Sequence, residues 1–180
     1  DGLYDAFVEK FAAAMAGSKV GEPLADDTVI GPLSSAAATA RLQSQVDRAV
    51  EQGATIVVGG KADGNYFPGT VITGVTADAD AYREEFFGPV GVVYRAASED
   101  EAVMIANDTP FGLGSYVYTT DAAQAERVAD AIDAGMVYIN CVLADSPELP
   151  FGGVKRSGTS REMGLLAADE FVNKKLIRTA

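Results

Sequence analysis

The sequence predicts an α/β layer fold with a mostly parallel sheet flanked by helices. Three observations carry this reading. Helical and strand-like periodicities alternate along the chain, glycine- and proline-containing turns separate them, and nearly half of the 180 residues (48%) are apolar. A chain of this length supports one well-buried core, and its composition excludes a disordered segment.

The chain opens on an amphipathic helix, read from Leu3, Phe7, Phe11 and Met15 at helical spacing. Gly21, Pro23 and Gly31-Pro32 bound an irregular stretch. Ser34 or Ser35 caps a long second helix with an apolar face of Leu42, Val46, Ala49 and Val50, and Gly53 supplies its left-handed stop. The β-branched run 55–58, closed by Gly59-Gly60, reads as a strand; residues 66–75 hold strand-like pieces and 90–94 a buried strand. Ser98 and Glu101 form a capping box for a helix carrying Ala102, Val103 and Ile105. A strand follows over 113–119, then a helix capped by Asp121 and ended by Gly135, then a strand over 136–140. Residues 141–158 form a long loop or hairpin, a short helix is expected around 161–168, and 171–179 close the chain as a strand. A terminal strand of this kind suits pairing outside its own sheet, with another subunit.

Charge and composition narrow the function. Fourteen Lys and Arg stand against 26 Asp and Glu, for a net charge of −12, with no histidine. Nucleic-acid binding needs clustered cations, and Lys155, Arg156 and Arg161 are too sparse to supply them, so neither nucleic acid nor an anionic membrane surface is an expected partner. No apolar run reaches the roughly 20 residues of a membrane span. No secretory signal is read, and because the chain opens on Asp1 rather than Met it is expected to belong to a longer, or trimmed, product. Cys141 alone can form neither an internal disulfide nor a metal site, which fits a reducing, cytoplasmic setting. Without histidine, any acid–base chemistry falls to carboxylates, Lys or Tyr.

Three segments could carry chemistry. In Glu84-Glu85-Phe86-Phe87-Gly88-Pro89-Val90, Gly88-Pro89 forces a turn before a strand. A carboxylate there can accept hydrogen bonds from a ribose diol, and an aromatic can stack on a planar ring. The plain alternative is that Glu84 and Glu85 are solvated and Phe87 is core. In Leu149-Pro150-Phe151-Gly152-Gly153-Val154-Lys155-Arg156-Ser157-Gly158, the glycine pair permits close backbone approach, though a plain turn explains it as well, and the spacing before Lys155 is wrong for a phosphate loop. Asn107 to Gly114 reads as a helix stop, a turn and a strand start. Asn140 is either catalytic support or a satisfied buried amide. Cys141 has no neighbouring base or cation in sequence and reads as a structural or incidental thiol.

Taken in order, these segments resemble the aldehyde dehydrogenase superfamily. Val20-Gly21-Glu22-Pro23 with Gly31-Pro32-Leu33, Gly53-Ala54 to Gly59-Gly60, Glu84 to Val90, Asn107 to Leu113 and Pro150 to Gly158 are each similar to one of its motifs, and together they cover the chain. The resemblance implies a catalytic domain over 1–170 and an oligomerisation strand over 171–180. It implies that Glu85 contacts the nicotinamide ribose of NAD or NADP, that Phe87 lies against the nicotinamide, and that Phe151 lines a tunnel for a small-molecule aldehyde. It also implies that the nucleophilic cysteine, the general-base glutamate and the glycine-rich cofactor loop precede Asp1, so that no catalytic residue lies in this chain and the chain alone is inactive. The parent is expected to be a dimer or tetramer. Residues 149–158 and 170–175 are most similar to the NAD(P)-dependent succinate-semialdehyde branch. Where some of that branch place a substrate-binding serine, this chain has Asp145 beside Ser146, and an aspartate there repels an anionic substrate, leaving another aldehyde, such as betaine aldehyde, as an alternative. A stand-alone, non-catalytic α/β module assembling through its terminal strand is the competing class.

Overall fold

The computed structural model of the chain describes residues 2–142 and 146–180, which fall into two compact units, Asp1–Ser98 and Glu99–Ala180.

The first unit contains α1 (Tyr4–Gly17), α2 (Ala36–Glu51) and a three-stranded sheet of β1 (Thr55–Val58), β2 (Thr70–Thr73) and β3 (Val90–Val93). Ser35, not Ser34, caps α2: its Oγ accepts the Ala38 N–H at 3.1 Å. Beyond the helix, Gly53 takes φ +100, as a left-handed stop requires. Leu42, Val46 and Ala49 form the buried stripe of α2, and Phe67, Ile72 and Val75 meet them in the core. Val50, expected on this face, is largely exposed, because it lies one residue round the helix from Ala49. On α1 the half-buried face is Tyr4, Val8, Phe11, Ala12 and Met15, whereas Leu3 (83% exposed) and Phe7 (54%) face solvent. A row stepped every four residues rotates by about 40° per step, so the expected stripe drifts off the face that packs. That face lies close on the sheet: a Cβ on Gly91 would sit 2.7 Å from the Phe11 ring, and one on Gly69 2.6 Å from the Met15 carbonyl oxygen.

The second unit contains α3 (Glu99–Asn107), β4 (Phe111–Gly112), β5 (Gly114–Val117), α4 (Ala122–Ala131), β6 (Met136–Ile139), β7 (Val154–Lys155) and a 3-10 turn at Ala167–Phe171. Helix α3 begins at Glu99, directly after Ser98. Asp121 Oδ1 accepts from the N–H groups of Ala123 (2.9 Å) and Gln124 (3.3 Å) at the start of α4. The β5–α4–β6 crossover returns β6 parallel to β5 in register, with Tyr116 opposite Tyr138 and their rings stacked at 5.5 Å.

The α/β class therefore holds, with mixed pairing. The ladders β2–β3 and β5–β6 are parallel, while β1–β2 and β4–β7 are antiparallel. Three further expectations change. Helix α4 ends at Ala131, four residues before Gly135. The helix expected around 161–168 is replaced by turns, because Met163 (φ 58) and Gly164 (φ 61) both take left-handed backbone that no α-helix accommodates. Residues 172–180 form no strand, since no neighbouring edge among the described residues pairs with them.

Candidate functional site

Segment 84–90 is held in place from one side. Arg48 Nη2 of α2 donates to both oxygens of the Glu84 carboxylate, at 2.5 and 2.6 Å. Arg48 Nε lies 2.9 Å from Asp80 Oδ2, close enough for an ion pair though not an aligned hydrogen bond. Glu84 foremost, by its hydrogen bonds and then its charge, raises the Arg48 guanidinium pKa further. Gln45 Nε2 donates to Glu84 Oε2 (3.4 Å) and to the Glu85 carbonyl (3.2 Å). Phe86 packs on the core, and a Cβ on Gly88 would overlap the Leu42 side chain. The Pro89 carbonyl accepts the Thr70 N–H at 2.9 Å, which joins the segment to the β2–β3 ladder.

An extended segment alternates its side chains. Glu84 and Phe86 point inward, so Glu85 and Phe87 point outward; both are exposed, Phe87 to 69%. Phe87 is therefore not core, and the core phenylalanine of the pair is Phe86. Glu84 is not merely solvated, because it is the anchor. The segment enters the amino end of β3, so the general preference of ligands for carboxyl ends of strands does not account for it.

In the second unit the two glycine-containing segments are knitted into one structure. Phe111 and Gly112 pair with Lys155 and Val154 across β4–β7. Lys155 Nζ donates to the Asn107 carbonyl at 2.8 Å and lies 2.9 Å from Asp133 Oδ2. Ser157 Oγ accepts the Gly112 N–H at 3.1 Å, and the Arg156 guanidinium lies 5.6 Å from the centre of the Phe111 ring. Asn107 bridges to the turn after α4, donating to the Ala131 carbonyl and accepting the Asp133 N–H, both at 2.8 Å. Phe151 sits on this platform, half-buried, with its backbone in a two-bond bridge to Glu162 at 2.7 Å each way. The glycine pair thus does more than turn the chain: a Cβ on Gly153 would lie 3.0 Å from the Gly112 carbonyl oxygen.

Ser146 is half-buried and its Oγ donates to Glu148 Oε2 at 2.7 Å, which holds the Glu148 carboxyl below the ordinary glutamate value. Asp145 lies outside the described residues. Asn140, at φ 53, closes β5 against β6: its side-chain amide accepts from Thr119 N (3.0 Å) and donates to Thr119 O (2.8 Å). It is a satisfied amide, though exposed rather than buried. Cys141 is exposed and free. Among the described residues no group of three or more acidic or Cys side chains is placed to hold a metal. Glu85 and Phe87 thus belong to the first unit, and Ser146 and Phe151 to the second. Sequence reasoning missed Gln45 and Arg48, whose spacing of three on α2 marks one helix face and was the available signal.

An anchored, outward-facing Glu–x–Phe pair in the first unit and a glycine-rich platform bearing an aromatic in the second define an α/β protein that holds these side chains on short, hydrogen-bonded segments. Comparison with known proteins narrows that class. The family model described as "Aldehyde dehydrogenase family" matches residues 1–177, and the chain belongs to that family. It is 47% identical to a succinate-semialdehyde dehydrogenase [NADP(+)] from Deinococcus radiodurans, over 99% of this chain and 38% of the relative. It is 48% identical to one from Mycolicibacterium paratuberculosis, over 97% of this chain and 38% of the relative. The crystal structure of succinic semialdehyde dehydrogenase from Streptococcus pyogenes in complex with NADP+ superposes with a TM-score of 0.93 at 41% identity, covering 99% of this chain and 40% of that one. The chain thus spans 38% of the length of the curated relatives it matches.

Proposed function

We propose that this chain is the larger part of the catalytic domain of an NADP+-dependent dehydrogenase that oxidises succinate semialdehyde to the carboxylate, through a thioester on a cysteine outside these 180 residues. The observation that carries the reading is the outward pair Glu85 and Phe87 on a segment braced by Arg48, Gln45 and Leu42. The Glu85 carboxylate suits the hydroxyls of the nicotinamide ribose, and the exposed Phe87 ring suits the face of the nicotinamide. These residues orient the dinucleotide, which, when bound, accepts a hydride from the substrate. Phe151 lines the aldehyde channel, fixed by its bridge to Glu162, and Ser146 borders the acyl end, with Asp145 its neighbour in sequence. The NADP(+) in the names of these relatives favours NADP over NAD.

Residues 1–170 act as catalytic domain and 171–180 as an oligomerisation strand. Phe171, Leu176 and Ile177 are exposed, as suits a strand completed by a second copy in a dimer or tetramer. No helix among the described residues is long and apolar enough to cross a membrane, and a cytoplasmic setting is part of the proposal.

Asp145 supports a second reading, because a carboxylate at the acyl end favours a cationic substrate such as betaine aldehyde over an anionic one. Steady-state kinetics of the full-length protein on an aldehyde panel, with each dinucleotide, decides between them. The proposal expects the highest kcat/KM with succinate semialdehyde and NADP+. A clear preference for betaine aldehyde would replace the substrate assignment.

A further inference from the structure

One face of α2, continued by its C-cap Gln52, is spent on a distant segment rather than on the core. Gln45, Arg48 and Gln52 follow each other at spacings of three and four, beside the buried stripe of Leu42, Val46 and Ala49. All three reach the same distant segment. Gln52 Oε1 accepts the Asp80 N–H at 2.9 Å, and its Nε2 donates to Asp80 Oδ2 at 3.2 Å. Arg48 bridges Asp80 and Glu84, and Gln45 takes Glu84 together with the Glu85 carbonyl. The clamp therefore runs the length of 80–85 and ends on the backbone of Glu85 itself.

We propose that Gln45, Arg48 and Gln52 are positioning residues for dinucleotide binding, setting where the Glu85 carboxylate and the Phe87 ring stand in solvent. This rests on the reading of Glu85 and Phe87 as cofactor contacts. The chemistry favours the assignment. An exposed carboxylate and an exposed ring have no packing of their own to hold them, so their placement is that of the backbone beneath. Arg48 is the one member that reaches two acidic side chains at once, with Nη2 on both Glu84 oxygens and Nε against Asp80, so the guanidinium fork spans two carboxylates rather than gripping one. Lysine at this position supplies the charge but not the fork.

The test is kinetic, in the full-length protein, with Arg48→Ala, Arg48→Lys, Gln45→Ala and Glu85→Gln. Positioning predicts that Arg48→Ala raises KM for the dinucleotide by about fivefold to tenfold, since displacements well under 1 Å matter at such contacts. KM for the aldehyde should change less than about twofold, with Arg48→Lys intermediate and Gln45→Ala showing a smaller shift in the same direction. A purely structural role gives the opposite split: less active protein and a lower apparent kcat, with both KM values at wild type, and that result overturns the inference. If Arg48→Ala does not fold, Arg48→Lys and Gln45→Ala decide on the same criterion. Glu85→Gln separates the two levels. If it leaves dinucleotide KM unchanged, the reading of Glu85 fails; if it raises KM while the α2 variants do not, the positioning inference alone fails.

Discussion

Gly135 is a position at which the fold leaves no room for a side chain. A Cβ there would overlap the Gly152 carbonyl oxygen, and would stand 2.6 Å from Gly153 Cα and 2.7 Å from the Gly152 carbonyl carbon. Non-bonded carbons rest at about 3.5–4.0 Å, so Gly135→Ala demands a retreat of roughly 1 Å between two stretches of backbone. Neither side yields easily. Gly135 N–H is bonded to the Gly112 carbonyl at 3.0 Å, and the Gly153 carbonyl is held by Arg161 Nη1 at 2.8 Å. No flexible side chain can absorb the clash, so the substitution should cost about 2–3 kcal/mol, toward the upper end for overpacking. The assay is urea denaturation of the full-length protein, with Gly114→Ala beside it. The Cβ of that control would meet Met136 Cε at 3.5 Å, an ordinary contact, and its midpoint should stay within about 0.5 kcal/mol of wild type. Because the displaced backbone is that of Gly152-Gly153, next to Phe151 in sequence, the proposed role of Phe151 in the aldehyde channel predicts that Gly135→Ala also raises KM for the aldehyde. A Gly135→Ala protein that unfolds at the wild-type denaturant concentration with an unchanged slope would refute this account of the close approach.

Phe67 is fully buried in the first unit's core, and Phe67→Ala should lower stability by about 3–5 kcal/mol, read from the same denaturation curves. In the second unit, Glu99 ties α3 to α4: it accepts from Arg127 at 2.8 and 2.9 Å and from Gln124 at 2.9 Å, which lower its pKa to about 2. A carboxyl depressed in the folded state stabilises fully above its ordinary value of 4.5 and loses that contribution as pH falls toward about 2. Arg127→Gln should therefore lower Tm at neutral pH, with the gap to wild type narrowing on acidification. A gap that is constant or widens between about pH 7 and pH 3 contradicts the assignment.

Local chemistry in the chain makes much of this architecture legible. Ser35 and Asp121 announce their helices because a cap is satisfied within three residues, and the run Thr55–Val58 announces its strand by β-branching. What could not be read depends on partners far away in sequence. Arg48 and Gln45 look like a solvated helix face until Asp80 and Glu84 arrive more than 30 residues later. Gly135 was expected as a helix stop, yet its requirement comes from Gly152. Met163 gives no compositional sign of its left-handed backbone, so a helix was expected through it. At 171–179 the apolar residues suggest a strand, but a strand exists only where an edge is available to pair. For the site, Glu85, Phe87 and Phe151 came from motif resemblance. The structure adds the alternation that turns Glu85 and Phe87 outward and the bridge that fixes Phe151.

If Phe87 is exposed for a ligand rather than for the fold, as proposed, Phe87→Ala in the full-length protein shows it most directly. With 69% of its surface in solvent, its loss should change stability by no more than about 0.5 kcal/mol. The dissociation constant for NADP+, measured by titration on that variant, should nonetheless rise by about tenfold, the loss of one aromatic contact on the nicotinamide face. An NADP+ affinity equal to wild type in a stably folded variant would contradict the account.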